Sequence, residues 1–532
     1  MISNLSFFKD FKTLSLHRKI YIIGFMIMVL GLPLSRFFMS ISQFILLINW
    51  LIEGNFKEKY NRFVKNKIGI ILLLLPLIHI IWLINTTNFH FAAIDLRIKI
   101  PLLLLTVILG SIEPLSNKEI KWILNTFVFA VFAATIVGFA IFTGLYKVED
   151  YSFRALSHFI SHIIFSLMLV LSLVILIYNL YLDYQKLTKK HVTLIILLII
   201  WLMFFLAIIQ SITGWVVFLL LSLFLFVTHF QKLELKPVKF IVLTIFTLVF
   251  TISSGIIIKV IHDFYFVETV DFKNLPTHTP YGNKYKNDTL SILKENGHFI
   301  NVLVCEKELS ETWDKLSKIP YKTGKDSNGY SIKKTLIRYL TSKGLPKDKN
   351  GLLSLDKKDI ELIEKGYSSI IYKKYNKTPY IRIYKAMWDL DYYYKTGNPN
   401  NKSIAQRIEF YKAAFYIIKN NFWVGVGTGD IRDAFAQAYI DLKSKLIPEK
   451  RFTAHNQYIT FFIKFGIFGF LISLFSMLYP GFIKSKKGGV LLQSFMIIAF
   501  VSMLSDNILE IQSGVTFYSL FYNLFLFNKK VF

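Results

Sequence analysis

The hydrophobic positions of this chain form long, uninterrupted runs that one large polar stretch divides. About nine runs precede His262, a polar stretch of nearly two hundred residues follows, and about three more runs come after it. A helix needs about 20 apolar residues to cross roughly 30 Å of hydrocarbon. The runs predict spans at 20–35, 37–52, 68–85, 99–114, 120–144, 159–182, 192–209, 213–229, 238–262, 456–480, 489–505 and 514–528. We therefore expect an all-α polytopic membrane protein with about twelve transmembrane helices.

The polar stretch predicts one large, mainly helical loop domain before the last spans. The expected division is an N-terminal membrane domain over 1–262, a loop domain over 263–454 and a C-terminal membrane domain over 455–532. Inside the loop, 331–343 and 356–365 have helical patterns. Near its end, 403–420 predicts an amphipathic helix with the apolar stripe Ile404, Ile408, Tyr411, Phe415 and Ile418.

Composition supports a membrane protein, and the position of the charges predicts its orientation. The 532 residues are 54% hydrophobic and 18% charged, with a mean hydropathy of +0.48, which is outside the range of soluble domains. With the N-terminus in the cytoplasm, the short inner segments carry 22 Lys and Arg residues and the short outer segments carry 5. Positive residues resist translocation, so we expect both termini to be cytoplasmic and the large loop to lie on the outer side of the membrane.

The net charge of +28 is thus explained mainly by topology and by contact with anionic membrane lipids. A nucleic-acid partner is not expected, because no basic stripe interleaved with aromatic residues lies on a soluble face. The single cysteine, Cys305, excludes an intrachain disulfide and a cysteine-based metal cluster.

Two residues are the strongest candidates for chemistry. His455 lies at the outer mouth of the tenth predicted span, where a neutral imidazole can take a proton from a sugar hydroxyl. Arg407 suits a phosphate, because a guanidinium gives two parallel charge-assisted bonds. The plainer alternatives are an interface histidine that holds a loop and a surface arginine.

Several polar residues predicted on the same outer side complete the candidate site. Hydroxyl-binding or phosphate-binding roles are assigned to Asn456, Gln457, Gly425, Gly427, Gln210, Glu510 and Arg154. For the glycines the alternative is a tight turn, since the run follows a helix and not a strand. His158 and His162 are one turn apart, but no third ligand is close in sequence, so no metal is expected. Lys464 is interpreted as a lysine that snorkels out of the tenth span.

These residues together resemble a known family. Arg407, Tyr411, Ala414, Gly425-x-Gly427, His455-Asn456-Gln457-Tyr458 and Gly466-x-x-Gly469 form a pattern similar to that of the O-antigen ligase and O-antigen polymerase superfamily. The layout of about twelve spans with one large loop before the last three is also similar. Segments 295–298, 341–345 and 362–366 resemble the loop of Bacteroidetes-type members.

The resemblance implies a metal-independent glycosyltransferase of lipopolysaccharide biosynthesis that needs no cofactor. The protein would lie in a bacterial inner membrane with its large loop in the periplasm. The donor would be a glycan on undecaprenyl pyrophosphate, and the acceptor would be lipid A–core for a ligase or another lipid-linked glycan for a polymerase. His455 would be the general base and Arg407 would grip the pyrophosphate. Many members carry an arginine where this chain has Ile212 after Ser211, so Arg154 or Arg432 would have to replace it. A non-enzymatic transporter or scaffold for a lipid-linked glycan stays an alternative.

Overall fold

The computed structural model describes residues 10–148, 153–229, 236–265, 270–290, 293–375, 378–485 and 489–528. Within these residues the fold is almost entirely helical, and one two-stranded antiparallel ribbon pairs β1 (Lys294–Glu295) with β2 (His298–Phe299). An all-α architecture is therefore confirmed. Six lysines of the charge argument lie outside the described residues: Lys9, Lys232, Lys486, Lys487, Lys529 and Lys530.

Long apolar helices make up both ends of the chain. The first group comprises α1 (Leu16–Leu34), α2 (Arg36–Ile52), α3 (Phe56–Lys65), α4 (Lys67–Ile81), α5 (Phe89–Ser111), α6 (Asn117–Thr143), α7 (His162–Asp183), α8 (Lys189–Ile208), α9 (Ile212–His229) and α10 (Lys236–Tyr265). The last group comprises α19 (Gln457–Ser485), α20 (Val490–Ser502) and α21 (Gln512–Phe527). Short 3-10 helices cover Trp82–Asn85, Phe153–Leu156, Tyr184–Lys186, Pro448–Lys450 and Ile508–Glu510.

Seven helices among the described residues are long and apolar enough to cross a membrane, or eight if the bent pair α2 and α3 counts as one span. The chain is thus a multi-pass helical membrane protein. Each of the twelve predicted runs contains a helix, but several of these helices are short, and α5 carries buried charges. Twelve crossings and a periplasmic loop therefore stay predictions.

Helix α5 begins ten residues before the span predicted at 99–114. The prediction began late because Asp95, Arg97 and Lys99 interrupt the hydrophobic run. In the structure Asp95 and Lys99 are buried and form an ion pair with each other, which replaces the contact of these charges with water.

Contacts divide the chain into two units, Met1–Leu248 with Arg407–Phe532, and Val249–Gln406. Residues 407–454, which the sequence analysis assigned to the loop domain, thus belong with the apolar helices in this division. The predicted domain boundaries differ from it mainly at this end.

The unit Val249–Gln406 is built from short helices around its own apolar core. Its helices are α11 (Glu306–Leu316), α12 (Ile332–Ser342), α13 (Lys349–Leu353), α14 (Lys357–Glu364), α15 (Ile370–Lys374) and α16 (Pro379–Thr396). Trp313, Leu336 and Tyr339 are fully buried in this core. The helices predicted at 331–343 and 356–365 are confirmed as α12 and α14.

Two further helices, α17 (Ser403–Asn420) and α18 (Ile431–Asp441), precede α19. Helix α17 occupies the predicted range, and Tyr411 and Ile418 of the predicted stripe pack against the buried core, but Phe415 does not. Phe415 is 60% exposed, and the buried face consists of Phe410, Ala413, Ala414 and Ile417. The small alanine side chains let α17 approach its neighbours closely. The prediction considered only the spacing of apolar residues and not their size.

Candidate functional site

The site is organised by the N-terminal end of α19. Asn456 caps this helix: its Oδ1 accepts the Ile459 N–H at 3.0 Å, and its Nδ2 donates to the Leu504 carbonyl at 2.9 Å. The Tyr458 hydroxyl donates to the Phe500 carbonyl at 2.9 Å. These bonds fix the start of α19 against the end of α20.

Gln457 fixes the same helix end against the 3-10 helix Ile508–Glu510. Its Nε2 donates to Glu510 Oε1 at 3.1 Å, and its Oε1 accepts the Leu509 N–H at 2.9 Å. Asn456, Gln457 and Glu510 therefore all have internal partners. A contact of any of these three with a substrate stays a prediction.

His455 is the member of the tetrad that remains accessible. Its side chain is 39% exposed, and its backbone is in the left-handed region at φ 48°. Nδ1 lies 3.5 Å from Asp506 Oδ1, and the ring packs on Phe410 and Phe452 with centroids 5.8 and 6.4 Å away. A non-glycine residue in this conformation is costly and persists only where its surroundings hold it. The imidazole is thus oriented by a carboxylate and two aromatic rings.

Arg407 lies one turn before Phe410 on α17. Residues three apart share a face of a helix, so Arg407 lies on the side of α17 whose Phe410 ring contacts His455. The side chain is half-buried, and among the described residues no carboxylate or other partner pairs with its guanidinium. The contacts recorded for the described residues do not join the guanidinium to His455 directly. We group His455, Phe410, Asp506 and Arg407 as the His455 cluster, and a joint role of Arg407 and His455 stays a prediction.

The glycine run packs against a break in α19. At Gly466 the backbone leaves the helical region, with φ 59° and ψ −168°. The carbonyls of Ile463 and Lys464 accept the N–H groups of Val426 and Gly427, each at 2.9 Å. These bonds satisfy groups that a break within an apolar helix would otherwise leave unpaired.

Only glycine fits where the two backbones meet. A Cβ on Gly425 or on Gly466 would lie at clash distance from the opposite main chain, and both residues have positive φ. The N–H of Gly425 is bonded to Asn421 and that of Gly427 to Lys464. The run therefore has a packing role, and a contact of Gly425 or Gly427 with a substrate stays a prediction.

A cluster of charged residues lies beneath the His455 loop, and we call it the buried ion cluster. Lys464 Nζ lies 2.8 Å from both Asp95 Oδ1 and Glu510 Oε2. Lys99 Nζ lies 3.2 Å from Asp95 and 3.3 Å from Glu510, and His79 Nδ1 lies 2.7 Å from Asp95 Oδ2. Two carboxylates thus balance two ammonium groups, and the cluster joins α4, α5, α19 and the 3-10 helix Ile508–Glu510.

The interpretation of Lys464 as a snorkelling lysine is wrong. Its side chain is 1% exposed and paired on two sides. The sequence of one helix does not show that carboxylates of α5 and of Glu510 pack against it. The i, i+4 spacing of Asp95 and Lys99 within an apolar run was the one sequence signal for the cluster.

The start of α9 and the turn before it are hydrogen-bonded to neighbouring segments, one of which contains Asp506. Thr213 Oγ1 lies 3.0 Å from Ser505 Oγ, next to Asp506, and Ser211 Oγ lies 2.9 Å from Ser166 Oγ. Gln210 is 3% exposed with φ 52°, and both polar atoms of its side chain lack a partner among the described residues. A buried unpaired amide requires an explanation, such as water or a ligand.

The remaining candidates lie apart from this cluster by the contacts that the structure records. Arg154 is exposed on the 3-10 helix Phe153–Leu156, and Arg432 lies over the Phe91 ring at 4.7 Å. Neither contacts His455 or Asp506 in the described part of the chain. His158 packs on Tyr146, and the described residues contain no group of three metal-ligating side chains. Which cation replaces the missing arginine therefore stays open.

Asp506 is the site residue that the sequence analysis missed. Its proximity to His455 depends on how α19 and α20 pack, which the sequence alone does not show. The fold and the site together define a polytopic helical membrane protein with a histidine, a carboxylate and an unpaired arginine at one end of its helices.

One stretch of the chain is similar to a known family. Residues 368–474 match the Wzy_C family model, which describes an O-antigen ligase. The match includes Arg407, the glycine run, the His455 tetrad and Gly466. No curated protein matches the chain. The resemblance to the O-antigen ligase superfamily is thus confirmed, and the chain carries a ligase/polymerase-type domain.

Proposed function

We propose that this protein transfers a glycan from undecaprenyl pyrophosphate to lipid A–core at the periplasmic face of the inner membrane. The observation that carries the proposal is the placement of His455 and the unpaired Arg407 inside the segment that matches the O-antigen ligase model, with Asp506 3.5 Å from the imidazole. Transfer to another lipid-linked glycan, which would make the protein a polymerase, uses the same chemistry and differs only in the acceptor.

In the proposed reaction the acceptor hydroxyl attacks the anomeric carbon of the donor. The carbon–oxygen bond to the pyrophosphate breaks, undecaprenyl pyrophosphate leaves, and the hydroxyl proton passes to His455 Nε2. Asp506 faces Nδ1 and so favours the tautomer that keeps a proton there and leaves Nε2 free to accept one. General-base help of this kind contributes about 10²- to 10⁴-fold.

Arg407 acts on the leaving group. Its guanidinium would bind the pyrophosphate through paired charge-assisted bonds and stabilise the charge that grows as the glycosidic bond breaks. Because a pyrophosphate already leaves readily, orientation and charge neutralisation are the main requirements. The exposed Trp423 and Phe468, whose rings stack at 5.9 Å, suit contact with lipid near the break in α19.

The buried ion cluster is the feature that would favour a transporter, because charged residues within a membrane often mark a transport path. Asp95 and Lys464 are six and seven residues from the starts of α5 and α19. At 1.5 Å per residue they lie only about 10 Å from those helix ends. All four charges are paired internally, so the cluster better suits a support for the His455 loop.

The test is a gene deletion complemented with wild type, His455→Ala or Arg407→Ala, followed by profiling of surface polysaccharide and lipid-linked intermediates. Suitable controls are His158→Ala, an exposed histidine, and Lys419→Ala, which removes a cation from α17. A ligase predicts long glycan on undecaprenyl pyrophosphate and none on lipid A–core, with both site variants failing and both controls rescuing. Accumulated single repeat units indicate the polymerase instead. Full rescue by both site variants at normal expression contradicts the proposal.

A further inference from the structure

The unit Val249–Gln406 contains a cleft of its own, which we call the loop cleft. Its volume is about 770 Å³, within the usual range of ligand pockets. The cleft is lined by residues of the segment before α11, by one face of α12, by the end of α16 and by the asparagine-rich turn that follows. None of its lining residues belongs to the His455 cluster.

Cations exceed the available carboxylates in the loop cleft. The charged lining residues are Lys286, Lys333, Lys334, Arg338 and Lys402 against Asp288, Glu306 and Asp326. Glu306 is paired with Lys333 at 2.7 Å, and Asp326 accepts the Thr335 hydroxyl at 2.6 Å and two backbone N–H groups. The charges and lone pairs of these two carboxylates are therefore largely engaged within the protein.

The surplus positive charge faces the open space of the cleft. Lys286 and Lys334 are exposed, and the described residues supply neither with an ion pair. Lys402 Nζ lies over the Trp388 ring at 4.6 Å and the Tyr392 ring at 5.2 Å, instead of in a salt bridge. Among the described residues, Lys286 and Lys334 thus line the cleft without an ion pair, while the nearby Asp389 carboxylate offsets part of the charge of Lys402.

The uncharged lining suits a saccharide. Four asparagines line the cleft: Asn301, Asn398, Asn400 and Asn401. Asn398 Oδ1 accepts the backbone and side-chain N–H groups of Asn400 at 3.0 and 3.1 Å, so this polar lining is partly ordered by its own hydrogen bonds. Amide groups are suitable partners for sugar hydroxyl groups. The Tyr330 ring is 51% exposed at the cleft and has no ring partner among the described residues, so its face is open for stacking. Trp388 and Tyr392 stack on each other at 4.9 Å and form a rigid wall.

We propose that the loop cleft binds an anionic segment of a glycan. Its carboxylate or phosphate would meet Lys286, Lys334 and Lys402, and one sugar ring would stack on Tyr330. This inference rests on the proposed function, which makes a lipid-linked glycan the substrate, and it adds that the preferred glycan is acidic. The O-antigen ligase match begins at residue 368 and so includes Trp388, Tyr392 and Lys402 of the cleft.

The experiment measures saccharide binding to the full-length protein in phosphatidylcholine nanodiscs by calorimetry. The probes are tetragalacturonate for a carboxylate, glucose 1-phosphate for a phosphate, and maltotetraose as the neutral counterpart. We expect an anionic probe to bind more tightly than maltotetraose and to weaken with salt. The Lys286→Gln/Lys334→Gln double variant should lose about tenfold or more in affinity. Lys358→Gln, an exposed lysine on α14 away from the cleft, should bind like wild type.

Tyr330→Ala is the second variant, and it should weaken tetragalacturonate binding while leaving the salt dependence in place. The inference is overturned if neither anionic probe binds, if maltotetraose binds equally well, or if the double lysine variant binds like wild type. Binding is measured without any transfer step. If the anionic probes do not bind but the His455→Ala strain still lacks surface glycan, only the cleft proposal is overturned. If the His455→Ala strain makes surface glycan normally, the proposed function is overturned.

Discussion

The Lys464 ammonium lies 2.8 Å from the Asp95 carboxylate, which joins two helices that are 369 residues apart along the chain. The same ammonium reaches Glu510, whose other oxygen is bonded to Gln457 in the His455 tetrad. Two hydrogen-bonding steps therefore connect Lys464 to Gln457. The cluster is in a position to hold the His455 loop in place.

Replacing Lys464 should destabilise the protein strongly. Lys464→Met leaves Asp95 and Glu510 to share Lys99, and an uncompensated buried charge costs about 3–5 kcal/mol. Thermal unfolding in detergent measures the effect, with Lys484→Met at the far end of the same helix as the control. The Asp95→Asn/Lys464→Met double variant restores charge balance and should lose less stability than the sum of the single variants. Simple additivity would contradict the pairing.

Asp506→Asn should lower the rate of transfer without unfolding the protein. The amide cannot stabilise a proton on His455 Nδ1 or the charged imidazole as a carboxylate does, so the base becomes weaker. The expected loss is smaller than that of His455→Ala, which should be about 10²- to 10⁴-fold. Initial rates with purified protein and a lipid-linked donor check this. A rate equal to wild type would show that Asp506 does not assist His455.

Gly466→Ala should destabilise the protein, because a Cβ there would clash with the Trp423 carbonyl and the residue has φ 59°. Strained positions of this kind cost about 1–3 kcal/mol. The matched control is Gly255→Ala within α10, where a Cβ meets nothing within 4 Å. Helix propensity makes that change neutral or slightly stabilising. Equal melting temperatures for the two variants would contradict the packing role of the glycine run.

Transfer should continue in the presence of EDTA. In the proposed mechanism Arg407 supplies the positive charge for the pyrophosphate, and the described residues contain no group of three metal ligands. The assay compares initial rates with EDTA, with added Mg²⁺ and with neither. Loss of activity in EDTA that Mg²⁺ restores would show that the reaction needs a cation beyond the arginine.

Binding of an anionic glycan in the loop cleft should tighten between pH 7 and pH 5. Burial raises the pKa of Asp389 to about 6, and the cations facing it are Lys402, Lys385 and Arg338. Above pH 6 the ionised carboxylate offsets part of their charge, and below pH 6 it gains a proton. Affinity should rise by about two- to fivefold. Asp389→Asn should bind tightly at both pH values, and an unchanged pH dependence in this variant would contradict the assignment.

The sequence predicted the helical membrane architecture well, because a run of about 20 apolar residues has few alternatives to a helix. The motif also singled out His455 and Arg407, whose roles stay predictions. The sequence did not single out Asp506 and misread Lys464, since both depend on contacts between helices distant in the chain. Asn456, Gln457 and Glu510 were assigned to the substrate, but their side chains are bonded to one another or to nearby backbone. Polarity next to a candidate catalytic residue does not distinguish binding from support.

In the proposed mechanism His455 activates the acceptor hydroxyl while Arg407 holds the pyrophosphate. Purified protein in nanodiscs, given a glycan-linked undecaprenyl pyrophosphate and an acceptor, should release undecaprenyl pyrophosphate in step with glycan transfer. His455→Ala and Arg407→Ala should each abolish that release, while His158→Ala and Lys419→Ala retain it. Release at the wild-type rate by His455→Ala, in protein that is folded and binds the donor, would contradict the account.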